Sequence, residues 1–207
     1  MSNRSIHTLL KNWDEECPLT REEAVEVLNL PEEEMDSLME CAYALRTKYK
    51  GKKVSVQLLT NVRSGNCTQN CAYCAQSKDS QAEIEKYKRV SDEKLYGDND
   101  LVDEKHLARH CIGLSGIGFS DEEIEDLADR IREMKKKDTQ ICCSIGFLTE
   151  KQARILKDAG LDRINHNLNS SRSFYPEICT THTYDQRVNN IKMLQSLGFE
   201  ICSGGIV

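Results

Sequence analysis

No stretch of the sequence approaches the roughly 20 consecutive apolar residues that a membrane-spanning helix needs, and residues 1–13 lack the apolar core of a signal peptide. Excess positive charge is missing too. The 28 Lys and Arg are outnumbered by 34 Asp and Glu, for a net charge of −6 and a pI of about 5.5. That balance gives no general reason to expect a nucleic-acid partner or an anionic membrane. Short repeats and low-complexity linkers are absent. A cytoplasmic location is the resulting expectation, and 207 residues and 23.6 kDa suit one principal buried core.

Cysteine is plentiful: ten, at Cys17, Cys41, Cys67, Cys71, Cys74, Cys111, Cys142, Cys143, Cys179 and Cys202. In a chain without an export signal these thiols are expected to stay reduced, so metal or redox chemistry is a better reading than disulfides. Cys17 and Cys41 read as plain reduced thiols. Cys67, Cys71 and Cys74 form a C-x3-C-x2-C pattern just after the apolar run Val54–Leu59, which reads as a strand. A closed structural zinc site or a saturated iron–sulfur cluster takes four protein ligands. Three cysteines on a cuboidal 4Fe–4S cluster leave one iron open to a substrate or cofactor. A three-cysteine zinc site completed from elsewhere is the alternative.

Local signals divide the chain. Thr20 to Glu23, Ser120 to Glu123, Thr149 to Gln152 and Thr183 to Gln186 have capping-box spacing, each followed by apolar residues at helical period. Pro31 suits the first turn of a second N-terminal helix. Strands are expected at Val54–Leu59, Cys111–Leu114, Ile141–Phe147, Arg163–Leu168 and Glu200–Val207, with single helical segments between all but the first two. That is the alternation of a parallel α/β sheet. Lys78–Asp100 reads as the longest irregular segment and Leu101–His110 as a helix running straight into the second strand. The run Lys135–Lys137 fits a helix end, where the dipole favours cations, better than a binding patch. Ligands of parallel α/β folds bind at the carboxyl ends of strands, where the three cysteines, Asn167, Asn169 and Cys202 are expected.

The cysteine pattern, with Tyr73 directly before its last member, resembles the radical S-adenosylmethionine (SAM) enzymes. The segments Asn165-His166-Asn167-Leu168-Asn169, Thr180-Thr181-His182-Thr183-Tyr184 and Cys202-Ser203-Gly204-Gly205-Ile206-Val207 resemble, within them, the biotin synthase family. The resemblance runs from about Leu45 to the last residue. It implies a (β/α)8 barrel of TIM type, incomplete here at about five strands, with residues 1–49 a helical extension and 50–207 the partial barrel domain. It implies a 4Fe–4S cluster on Cys67, Cys71 and Cys74, SAM contacts at Tyr73, Asn169 and Arg187, and a dethiobiotin contact at Asn167. It further implies a second iron–sulfur cluster of 2Fe–2S type on Cys111, Cys142 and Cys202, a flavodoxin- or ferredoxin-type electron donor, and homodimerisation of the full-length family. The implied reaction is sulfur insertion between C6 and C9 of dethiobiotin.

Cys142 rather than Cys143 is expected to face inward, since neighbours on a strand point to opposite faces. His166 is expected to face away as a structural histidine, and His182 and Tyr184 to serve packing or capping. Relative to the family the Leu101–His110 segment is short. The sequence stops within the fifth strand, before the arginine that often completes the second cluster, so impaired activity is the expectation. Rival readings are another radical SAM barrel enzyme, of methylornithine synthase or hydrogenase-maturation type, and a non-catalytic metal-binding fragment.

Overall fold

The computed structural model describes residues 19–206; Cys17 and Val207 lie outside them. The described residues divide into two compact units, one ending at Val54 and the other beginning at Ser55. The first holds α1 (Arg21–Leu28), a short 3-10 turn (Glu32–Glu34) behind Pro31, and α2 (Met35–Lys50). Thr20 caps α1 in a reciprocal box with Glu23. Arg46 reaches forward from α2 to the carbonyls of Gly51 and Lys53 and ties down the turn that follows.

The second unit is an open sheet of five parallel strands in sequence order: β1 (Gln57–Arg63), β2 (Arg109–Leu114), β3 (Ile141–Ser144), β4 (Arg163–Asn165) and β5 (Glu200–Cys202). Between them run α3 (Asp92–Glu104), α4 (Asp121–Met134), α5 (Glu150–Asp158), a one-turn α6 (Tyr175–Ile178) and α7 (Tyr184–Ser196). The sequence-derived boxes start α4, α5 and α7 as expected, because the N-cap hydroxyl and the carboxylate or amide three residues on, in the first turn, satisfy each other's backbone groups wherever the helix lies. Lys135 ends α4 with its ammonium on the Thr139 carbonyl and Asp162, consistent with a helix end.

Several expectations are corrected. The first strand is Gln57–Arg63, not Val54–Leu59: Val54 and Val56 are exposed, and the more polar stretch with Thr60 and Val62 pairs with β2. An apolar run marked the neighbourhood and missed the register. Lys78–Asp100 is not irregular throughout, because Ser91 caps α3 from Asp92. Residues 105–108 supply a connection into β2, with His106 in the left-handed region, so no helix runs directly into that strand. β2 begins two residues earlier than expected, at Arg109, whereas β3, β4 and β5 are shorter than expected, and two helices, not one, separate β4 from β5.

Alternation gives the sheet two faces. Thr60, Val62, His110, Ile112, Ile141, Cys143 and Ile164 turn toward the helices and meet Ile124, Leu127, Ile131, Met134, Ala153 and Leu156 in the main core. Each such aliphatic side chain contributes about 1.5–3 kcal/mol on burial. A buried polar set, Thr60, Asp98, His110 and Asn99, stitches β1, α3 and β2, with Thr60 Oγ1 2.6 Å from Asp98 and 2.8 Å from His110 Nε2. The opposite face, the lumen side of the open sheet, carries the candidate chemistry.

Candidate functional site

The segment 64–91 leaves β1 through an antiparallel bridge between Ser64 and Tyr87 and carries the three-cysteine loop over the carboxyl ends of the strands. Asn70, inside that loop, fixes its position. Its Oδ1 accepts from the backbone N–H groups of Thr180 and Thr181, at 3.1 and 3.3 Å, and its Nδ2 donates to Thr180 Oγ1 at 2.7 Å. The Ala72 amide adds a bond to the Ile178 carbonyl. The loop is therefore held by a segment more than a hundred residues away in sequence, between α6 and α7.

Beneath it lies a cavity of about 280 Å3 lined by Cys67, Cys71, Cys74 and Tyr73 on one side and by Asn167, Asn169 and Arg187 on the other. Gly113, Ser144 and Asn165, aligned on adjacent strands, contribute to its wall. Asn169 is buried with φ of 67°, a region that asparagine tolerates better than most residues. Its backbone pairs with Gly204 and Ile206 on the β5 side. Gly146 lines the same cavity, where an added methyl would stand 2.3 Å from the Ile117 carbonyl oxygen, so the close approach of these two loops requires glycine.

Arg187, in the first turns of α7, is oriented from two directions. Its Nε donates to the Tyr175 hydroxyl at 2.5 Å, and its terminal nitrogen lies 2.9 Å from His182 Nε2. Because guanidinium only donates, Nε2 is the accepting nitrogen. Nδ1 then carries the proton and faces Gln69 Oε1 at 3.1 Å. Burial first, and then Arg187, depress His182 to a pKa of about 4, so the ring is neutral at pH 7. Phe147 and Tyr175 pack edge-on against it. His182 does pack, as expected, but its bond to Arg187 went unread. His166 is buried edge-on to Phe147 and also contributes to the cavity lining.

The donor set suits an open cluster. Three thiols face one cavity, no further cysteine lines it among the described residues, and amide and guanidinium groups stand opposite. Burial, then Cys179, raises Cys71 to a pKa of about 11, so ligation must displace a thiol proton.

Cys111, Cys142 and Cys202 do not line that cavity. Cys111 and Cys142 share a rung with Arg163 and Glu200, one step from the rung of Gly113, Ser144 and Asn165 that walls the cavity, and Cys202 is the last member of that nearer rung. Cys142 faces this lumen and Cys143 the helical core. Burial, with Cys111 and Cys202 adding to it against Arg109 and Arg163, pushes Cys142 up to about 12. Arg109 and Arg163 were missed in the sequence, and both keep buried guanidinium nitrogens without a hydrogen-bond partner. Arg109 was within reach of sequence reasoning, standing two residues before Cys111 on the same face of a strand. Arg163 pairs with Glu200.

A family model described as the Radical SAM superfamily matches residues 61–207. Biotin synthase of Geobacillus kaustophilus (strain HTA426) is 40% identical over 190 residues, which cover 91% of this chain and 57% of that protein. Biotin synthase of Bacillus subtilis (strain 168) matches at the same identity and coverage. The chain thus spans a little over half the length of these curated relatives. Among solved structures, a methylornithine synthase aligns with a TM-score of 0.80 at 16% identity, covering 95% of this chain and 57% of that one. A FeFe-hydrogenase maturase from Carboxydothermus hydrogenoformans aligns with a TM-score of 0.76 at 21% identity, covering 90% and 44%. These two likenesses establish the fold.

Proposed function

The chain belongs to the radical SAM superfamily, and from that premise we propose that it serves sulfur insertion into dethiobiotin in the manner of biotin synthases. The observation that carries this reading is the second group of lumen thiols: Cys111 and Cys142 lie one ladder step from the rung that walls the first cavity, and Cys202 lies on that rung. A site that only generates a radical has no evident use for three further inward cysteines beside two half-buried guanidinium groups.

In this reading Cys67, Cys71 and Cys74 hold the 4Fe–4S cluster that family membership implies together with SAM. When bound, the pair would supply a 5′-deoxyadenosyl radical able to remove hydrogen from an unactivated carbon, with the cluster's single electron spent on cleaving SAM and methionine leaving. The chain's own residues bind and orient. Arg187, braced by Tyr175 and His182, takes the SAM carboxylate through charge-assisted hydrogen bonds. Asn169 takes the ribose and Tyr73 borders the cofactor. Asn167, with both donor and acceptor, suits the ureido group of dethiobiotin. Cys111, Cys142 and Cys202 hold the second, 2Fe–2S, cluster as sulfur source, with Arg109 and Arg163 offsetting its negative charge. The electron donor is of flavodoxin or ferredoxin type, the assembled enzyme a homodimer in the cytoplasm, and residues 1–49 an extension to the catalytic domain. No described helix is long and apolar enough to cross a membrane.

The test is anaerobic reconstitution followed by iron and sulfide analysis and SAM binding with and without dethiobiotin. Two distinct cluster signals and SAM binding weakened by Arg187→Ala and Asn169→Ala are expected. Each substitution removes polar contacts worth roughly 1–3 kcal/mol. One cluster alone, unchanged when Cys111, Cys142 and Cys202 are replaced, would reduce the assignment to a radical SAM enzyme of another reaction.

A further inference from the structure

Cys179 plays no part in the function proposed above, yet it is buried at the C-cap of α6, against a residue that does. Its Sγ lies 3.8 Å from Cys71 Sγ, and 3.2 and 3.7 Å from the two ring nitrogens of His182. All three side chains are buried, and their donor atoms lie within 4.8 Å of one another. A tetrahedral zinc ion with Zn–S of about 2.3 Å and Zn–N of about 2.0–2.1 Å has a sulfur–sulfur edge of roughly 3.8 Å and a sulfur–nitrogen edge of roughly 3.6 Å. The separations at Cys179 already match those edges.

We propose that, while no cluster occupies the loop, Cys71, Cys179 and His182 form a binding site for one thiophilic divalent cation of the zinc class. Two thiolates and one neutral imidazole are a borderline-soft donor set, and Gln69 Oε1 or a water from the adjoining cavity completes four-coordination. Binding releases two thiol protons to solvent and requires no oxidant or reductant. A neutral imidazole has one lone pair, which Arg187 now occupies. Whichever ring nitrogen the cation takes, the bond between Arg187 and His182 is lost. The cation therefore withholds Cys71 from the loop trio and loosens Arg187 in one event. That consequence rests on the roles given to Cys71 and Arg187 above, while the existence of the site does not.

The test uses the 207-residue chain, stripped of iron, fully reduced and kept anaerobic, titrated with Co2+ and then with Zn2+. One Co2+ per chain should give the ligand-field bands of a tetrahedral site together with thiolate charge transfer, and Zn2+ should displace it. Cys179→Ser and His182→Gln, each checked for folding by circular dichroism, should weaken binding by about tenfold or more. The double variant Cys67→Ala, Cys74→Ala should bind as the parent does. Absence of tetrahedral cobalt bands in the parent chain overturns the proposal. So do bands that persist in Cys179→Ser and His182→Gln, or bands lost in the Cys67, Cys74 double variant, which would place the ion on the loop trio. Because every arm is read on cluster-free protein, failure to assemble a cluster would count against the proposed function and leave this result standing.

Discussion

Cys67, Cys71 and Cys74 sit on a loop held in place by side-chain tethers, whereas Cys111, Cys142 and Cys202 sit on strands held in place by the sheet. A loop can wrap one cluster with closely spaced residues, which makes the trio conspicuous in the sequence but leaves its geometry dependent on distant bonds. A ladder fixes geometry without help and scatters its ligands along the chain. The first arrangement can be loosened by changing a residue that touches no metal; the second can be disturbed only through the lumen face of the sheet.

The largest expected effect separates the two groups outright. Replacing Cys67, Cys71 and Cys74 together by Ala should abolish the 4Fe–4S absorbance and the electron resonance signal of the reduced, reconstituted chain. Replacing Cys111, Cys142 and Cys202 should leave that signal in place and remove only the remaining iron and sulfide. If the strand variant also empties the loop, the two regions do not load independently and the comparison fails.

A smaller effect distinguishes neighbours on β3. Cys143 is fully buried in the helical core, so Cys143→Ser places a hydroxyl among Ile112, Ile164 and their partners at a cost of roughly 1–3 kcal/mol. Cys142→Ser should cost clearly less, because its hydroxyl faces the polar lumen near Arg109 and Arg163. Urea unfolding of the cluster-free variants measures both, and the reverse order would mean that the faces of β3 are exchanged.

That contrast also marks how far the sequence could be read. The capping boxes at Thr20, Ser120, Thr149 and Thr183 were legible because both halves of each bond lie three residues apart. The parallel α/β alternation was legible for a similar reason, since each strand and helix carries its own period. β1 was misplaced because apolar content located it while ladder pairing, which the local sequence does not display, set its register. The cavity's named residues were found by motif. The groups that orient them, Tyr175 and His182 for Arg187 and Asn70 for the loop, depend on contacts between segments far apart in the chain. Cys179 was invisible as a partner of Cys71 for the same reason.

The smallest effect tests the tethers that distinguish the loop from the ladder. Asn70 is half-buried, and its side chain holds four groups of the Thr180–Thr181 segment, two amides and two hydroxyls, without facing the main cavity. Asn70→Ala removes all of these bonds. At about 0.5–1.5 kcal/mol net for each neutral bond, partly replaced by water, the loss should be roughly 1–2 kcal/mol. Asn70→Asp keeps an acceptor for the two amides but gives up the donation to Thr180 Oγ1, so it should fall between the parent and Ala. The readout is the anaerobic rate at which a chelator bleaches the reconstituted 4Fe–4S cluster: slowest in the parent, faster in Asp, fastest in Ala. The iron associated with Cys111, Cys142 and Cys202 should leave at one rate in all three, because no bond of Asn70 reaches those strands. Equal bleaching of the loop cluster in parent and Ala would show that the loop keeps its shape without this tether, and that it is as self-sufficient as the ladder beside it.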